Sequence, residues 1–277
     1  MGWKLTDDLE EFLAAAGGFL RDDPVRNTVA LTVTEDMRVQ GPGLYADALF
    51  GWTAGGSVEG TFVWTRAYPP LLSAMLEPAA AELADVLAGQ GTAVPGANGS
   101  QAVAEAFAEA WTRRTGAVSR VAMRQRLYRL GELQAPDPPP EGAARIAREG
   151  DRELMLEWSA AFSRDVGEHD AVNTARVDAR IGQGAIALWE AGGRPVAMAW
   201  RSPVVAGMSR VSAVYTPAGR RRRGYGAAVT AEASRAALDA GAADVVLFTD
   251  LANPTSNGVY RRLGYRPVED RVMLSFA

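Results

Sequence analysis

The chain has 277 residues, is 48% hydrophobic and carries a formal net charge of -4, with no cysteine. That length allows one large domain or two small ones. The missing cysteine excludes disulfides, thiolate zinc sites and cysteine nucleophiles and fits a reducing compartment, while the acidic balance argues against a dedicated nucleic-acid binder.

The first stretch, "MGWKLTDDLEEFLAAAGGFL", places Asp7, Asp8, Glu10 and Glu11 ahead of its apolar part, so it reads as an amphipathic helix rather than a signal peptide. No run approaches the roughly 18 apolar residues of a membrane span. The expectation is a soluble, cytoplasmic chain with no membrane partner. Next, "WTAGGSVEGTFVW" (Trp52–Trp64) reads as strand, Gly-Gly turn, strand. The segment "RAYPPLLSAMLEPAAAELADVLAGQG" then enters a helix without a basic glycine loop, and "TRRTG" (Thr112–Gly116) closes a helical pattern with a glycine.

A seam follows at Gln134–Gly142, "QAPDPPPEG", where four prolines in nine residues exclude helix and central strand. Beyond it the phrasing repeats: "WEAGGRPVAMAW" (Trp189–Trp200) echoes the first hairpin, and "YRRLG" (Tyr260–Gly264) echoes "TRRTG". The expected organisation is an α/β chain with an N-terminal lobe over 1–133, a linker over 134–142 and a C-terminal lobe over 143–277. Either the halves are a diverged duplication or they are two unrelated α/β segments.

The densest positive charge, Arg220–Arg223, sits between a β-branched strand ending at Pro217 and an alanine-rich helix from Gly226 to Gly241. In that helix Val229, Ala233, Ala236 and Ala240 are expected to line one face. Strand, basic glycine loop, helix is an order that makes an anion site, because the first amides of a helix point outward at the positive end of its dipole. The loop lacks the Lys and hydroxyl of a Walker motif and the third glycine of a dinucleotide fingerprint. Downstream, a strand is expected over Val245–Phe248. A helix should then start at Asn253-Pro254 and end at Gly264, with a last strand near Arg271–Phe276.

Three features in this order resemble the GNAT superfamily of acyl-CoA-dependent N-acetyltransferases. They are "VYT" (Val214–Thr216) leading into Arg221-x-x-Gly224-x-Gly226, Asn253 seven residues before Tyr260, and "YRRLGY". The match covers roughly 143–277. It implies two GNAT-like lobes, each a mixed, mainly antiparallel sheet flanked by helices, with the first lobe degenerate. It also implies acetyl-CoA as co-substrate, no metal, and transfer of the acetyl group to a primary amine of a small molecule by direct attack in a ternary complex. The alternative is a non-catalytic CoA-binding or regulatory protein.

By the same resemblance, backbone groups of Val214, Tyr215 and Thr216 would pair with the pantetheine arm. Arg221, Arg222, Arg223, Gly224, Tyr225 and Gly226 would hold the pyrophosphate, and Asn253 and Ser256 would complete the cofactor contacts. Tyr260 would protonate the departing thiolate, a role suited to a phenol whose ordinary pKa near 10 keeps it protonated at neutral pH. The strand before the loop carries no carboxylate, so the general base is unassigned. His169, the single histidine, is either a candidate base or a surface residue, and Asp165, Glu168 and Asp170 beside it either favour a cationic acceptor or form a hydrated loop. In the first half Trp111 or Thr112 stands where the repeat places Tyr260. The assembly is expected to be a monomer or homodimer.

Overall fold

The computed structural model describes residues 2–41, 45, 47–66, 68–167 and 173–277. The first half runs β1 (Gly2–Thr6), α1 (Leu9–Asp22), α2 (Thr28–Gln40), β2 (Leu49–Ala54), β3 (Thr61–Trp64), β4 (Leu71–Leu72), α3 (Glu77–Gly89), β5 (Gly96–Ser100), α4 (Gln101–Thr115) and β6 (Ser119–Leu130). The second half runs β7 (Ala143–Ile146), α5 (Arg152–Asp165), α6 (Thr174–Gly182), β8 (Ile186–Ala191), β9 (Arg194–Arg201), β10 (Met208–Tyr215), α7 (Tyr225–Asp239), β11 (Asp244–Asp250), α8 (Pro254–Arg262) and β12 (Tyr265–Phe276). Short 3-10 turns aside, the two halves follow the same succession of helices and strands. The α/β, two-lobed expectation is met.

The chain forms two compact units. The first comprises Met1–Leu127, Phe248–Asn253 and Pro267–Ala277; the second comprises Tyr128–Leu247 and Pro254–Arg266. The proline-rich segment 134–142 lies within the second unit, and β6, β11 and β12 are each divided between the two. In the first unit the strand order is β1-β2-β3-β4-β5-β12, with β12 antiparallel to β5 from Arg271 opposite Ser100 to Ser275 opposite Gly96. In the second it is β6-β11-β10-β9-β8-β7. The first unit therefore completes its sheet with a strand from the end of the second half, while β6 gives the second unit only Tyr128–Leu130.

The first twenty residues are not one helix. Gly2–Thr6 pairs antiparallel with β2, and α1 starts only at Leu9, where the Asp8 carboxylate accepts from the amides of Glu10 (2.8 Å) and Glu11 (3.1 Å). This side-chain cap satisfies two of the helix's open donors and sets where it begins. The C-terminal strand is longer than expected, beginning at Tyr265 directly after Gly264, whose φ of 97° stops α8. In the second hairpin, Gly192 and Gly193 have φ of 59° and 72°, the left-handed pair that a tight two-residue turn between twisted strands requires. In the first hairpin the same Gly-Gly opens a longer connection, residues 55–60.

The hairpin echo is out of register by face. Trp52 packs beside Phe12 of α1, at 6.3 Å between ring centroids, whereas Trp189 belongs to the cluster under α7. Trp64 lies among residues of α3 and α4, whereas Trp200 lies with Met155 and Trp158 of α5. Side chains alternate faces along a strand, so a one-residue slip in aligning two strands exchanges their faces. The two halves share a fold, but the matching tryptophans do not occupy matching places in it.

In the second unit the sheet is covered on both faces. One side meets α7 through Ala228, Val229, Ala231, Ala233 and Ala237, and the other meets α5 and α6 through Met155, Trp158 and Val177. The expected α7 face is correct at Val229 and Ala233. Ala236 is only half-buried and Ala240 is exposed, because the contact stripe drifts toward Ala237. Small side chains let the helix lie close to the sheet, and each buried apolar side chain larger than alanine adds about 1.5–3 kcal/mol.

Candidate active site

β10 carries the site. It pairs in parallel with β11 only from Met208 to Arg210, yet it runs on to Tyr215. Beyond Arg210 the ladder to β11 has ended, so the last part of the strand has that edge open to a guest. On the other side β10 stays antiparallel to β9, but the register shifts by one residue between Ser212 and Tyr215, where Ala213 has φ of 46°. An extra residue in one strand bends it and increases its twist, and a left-handed alanine marks stored backbone strain. No signal in the sequence distinguishes this alanine from its neighbours.

The chain then leaves β10 through Pro217 and a 3-10 turn at Ala218–Arg220. Arg222 (φ 63°) and Gly224 (φ 81°) are both left-handed, and Gly224 is the residue from which α7 departs. The first helical bond is donated by Ala228 to the Gly224 carbonyl (3.0 Å). The amides of Tyr225, Gly226 and Ala227 therefore have no partner within the helix, and no acidic residue occupies its first turn. A Cβ on Gly226 would stand 3.4 Å from the Thr216 hydroxyl, so glycine keeps this approach open.

Arg220, Arg222 and Arg223 are exposed, and Tyr225 is buried. Arg221 is committed to the protein: its Nε donates to the Thr216 carbonyl (2.9 Å) and its Nη2 pairs with the Asp165 carboxylate at the end of α5. Asp165, singled out from the sequence as acceptor-facing, is thereby tied to the glycine loop. The Tyr215 ring tilts against Trp158 at 5.8 Å, and burial raises its phenol above the ordinary range. Glu168, His169 and Asp170 lie outside the described residues.

Tyr260 is buried on α8, 8% exposed, in the same apolar cluster as Tyr225, against which Val214 also packs. Burial pushes its phenol up to about 12. Two other buried tyrosines flank this region and both spend their hydroxyls: Tyr128 donates to Asn257 Oδ1 (2.9 Å), and Tyr265 shares a hydrogen bond with Ser234 (2.7 Å). Tyr260 makes no hydrogen bond to another described residue. Ser256 is half-buried on the same helix. Asn253 is exposed, belongs to the first unit, and donates its backbone N–H to the Asp250 carbonyl (3.1 Å).

The second unit thus brings together Val214, Tyr225 and Tyr260 in one cluster and places Thr216 and the arginine loop at the end of the same strand. The sequence reading missed Ala213, Trp158, Asn257 and Tyr128. The first is a backbone feature, and the others act through contacts between residues distant in sequence. Among the described residues no group of three or more His, Asp or Glu could hold a metal ion, and no helix is long and apolar enough to cross a membrane.

Residues 152–265 match the model of the acetyltransferase (GNAT) family. No curated protein matches the chain. Among solved structures, a Drosophila protein superposes with a TM-score of 0.71 at 14% identity, covering 99% of this chain and 98% of its own. A GCN5-related N-acetyltransferase from Sphaerobacter thermophilus gives 0.63 at 16% identity, over 98% and 94%. A GNAT-family acetyltransferase from Colwellia psychrerythraea gives 0.60 at 13%, over 100% and 99%. These identities speak for the fold, which extends over both halves, while the family match speaks for the second. The family match covers less than half of the chain, so the second half is similar to the GNAT acetyltransferases, and the first shares their fold.

Proposed function

We propose that this protein transfers an acetyl group from acetyl-CoA to the primary amine of a small molecule. The observation that carries the reading is the open edge of β10 beyond Arg210, running directly into a glycine turn with free helix-start amides. The fit to acetyl-CoA is good on both counts. A pantetheine amide can pair with backbone of Val214–Thr216 as an added strand, and a pyrophosphate can accept from the amides of Tyr225–Ala227 under the helix dipole. The exposed arginines around the turn attract the remaining phosphate. Asn253 and Ser256 are assigned to the pantetheine chain.

Acetyl-CoA supplies the activated thioester when bound. The chain's own task is to orient it and to manage one proton. With a phenol raised to about 12 by burial, Tyr260 stays protonated across the physiological range and donates as negative charge builds on the departing sulfur. No carboxylate stands on Met208–Tyr215, and Asp165 is held by Arg221, so neither takes the amine's proton; His169 and water are the remaining candidates for the base. No cysteine is available to carry the acetyl group, which closes a thiol ping-pong route and agrees with direct attack in a ternary complex. The missing carboxylate also favours a second reading, a CoA-binding protein without turnover. We take 1–133 and 143–277 as the two repeats of the gene, joined at 134–142, and the protein as a cytoplasmic monomer or homodimer acting on neither nucleic acid nor membrane.

The test is calorimetric titration of acetyl-CoA into the wild type and Gly226→Glu. Gly226 is preferable to Gly224, whose left-handed φ of 81° would add backbone strain to any substitution. Micromolar binding weakened at least about 100-fold by the carboxylate supports the site. No binding to a well-folded wild type removes it. A screen of amino acids, polyamines and aminoglycosides as acceptors then separates enzyme from binding protein.

A further inference from the structure

We propose that Tyr128, from the last strand of the catalytically silent first half, is a positioning residue for Tyr260; this rests on the transferase reading above. α8 has nine residues, and the two it buries are Asn257 and Tyr260. They stand three apart and so share one face of the helix. Asn257 is polar and held from outside: the fully buried Tyr128 donates to its Oδ1 at 2.9 Å. A tie at 257 fixes the rotation of α8 about its axis, and with it the direction of the Tyr260 hydroxyl one turn later.

A second constraint acts on the ring. Tyr265 meets Tyr260 edge-on, at 6.1 Å between centroids and 66° between planes, and is itself fixed by the bond to Ser234. Both neighbouring hydroxyls are thus used to hold scaffold, and neither competes for the Tyr260 proton. A short helix with so little apolar burial gains its rotational definition from this buried hydrogen bond. Misplacing a proton donor by a fraction of an ångström is enough to slow transfer. Tyr128 therefore acts through Tyr260 and does not touch the reacting atoms. The first half of the sequence contributes to catalysis by supplying this residue to the second unit.

The experiment uses the full chain labelled at tyrosine Cζ, with the Tyr260 resonance assigned by its loss in Tyr260→Phe. Tyr128→Phe keeps the ring and removes the tie. The Tyr260 signal is expected to shift or broaden while that of exposed Tyr68 stays in place. Asn257→Leu cuts the same tie without leaving a buried carbonyl unpaired, and is expected to do the same if Tyr128→Phe folds poorly. An unchanged Tyr260 signal in both variants overturns the proposal, whether or not any amine is turned over. Failure of the transferase reading would instead show as absent acetyl-CoA binding in the wild type. With an acceptor from the amine screen, kcat should fall about tenfold in Tyr128→Phe at constant KM for acetyl-CoA. In a Tyr260→Phe background the same substitution should cost nothing further. An additive loss would show that Tyr128 serves stability alone.

Discussion

The two halves of the chain diverge at one turn. In the first half β4 has two residues and meets β5 at a single pair, Leu71 and Asn98. The segment 73–76 then delivers α3 with Glu77 in its first turn and a proline beside it. In the second half β10 has eight residues, bulges, outruns its parallel neighbour and delivers α7 through a basic glycine turn with no acid at the helix start. The architecture is the same, yet one helix start carries a carboxylate and the other is open to an anion. A similar difference separates α4 from α8. Trp111 of α4 packs against both Phe107 (6.2 Å) and Phe276 (5.8 Å) as core, where α8 carries a tyrosine whose hydroxyl bonds no other described residue. A repeated fold therefore does not repeat its local chemistry; the charge at a helix start and a phenol that bonds no other described residue separate the two.

The comparison predicts one acetyl-CoA per chain, read as calorimetric stoichiometry, and a second binding event would break it. The largest kinetic effect is expected at Tyr260→Phe. Turnover should fall by about 10²–10⁴, the usual worth of a positioned general acid, with acetyl-CoA affinity nearly unchanged. Equal turnover would remove Tyr260 from that role. Because burial raises this phenol to about 12, Tyr260 should contribute no alkaline limb to the wild-type rate profile between pH 7 and about 10. Its buried neutral form stabilises the fold fully below about pH 10, a contribution that is lost as pH rises through about 12.

A smaller effect separates the first strands of the halves. Arg145 of β7 bonds Asp151 twice (2.6 and 2.8 Å) and Glu190 of β8 once (2.7 Å), tying strand, turn and hairpin together. Arg145→Ala removes the guanidinium from two partly buried carboxylates, leaving Asp151 with the Arg148 amide, and should cost about 2 kcal/mol in urea unfolding. Arg145 holds the Asp151 carboxyl below its ordinary range, so this contribution is full at neutral pH and fades as pH falls below about 4. The corresponding pair in the first half, Lys4 with Glu11 (2.7 Å), is solvent-exposed. Lys4→Ala should leave the unfolding midpoint where it is. A matching loss at both positions would mean that the two first strands are anchored equally.

Much of this was legible along the chain because it is local. The strand–turn–helix order around Arg220–Gly226, the Asn253-Pro254 helix start and the Gly192-Gly193 hairpin depend on neighbouring residues and their backbone preferences, and the structure has all three elements. The loop's chemistry was also written locally, in its glycines and its charge. Pairing between distant segments was not. That β12 completes the first unit follows from which strand edges are free after folding. Which face each tryptophan takes follows from register, which an echo of letters cannot fix. The left-handed Ala213, the Asp165–Arg221 pair and the Tyr128–Asn257 bond likewise exist only once separate elements meet. Sequence alone determined that a basic glycine loop precedes a helix and that a tyrosine follows downstream. The tertiary structure decided that the strand edge beside that loop stands open and that the tyrosine's hydroxyl bonds no other described residue, because burial and pairing are properties of packed elements.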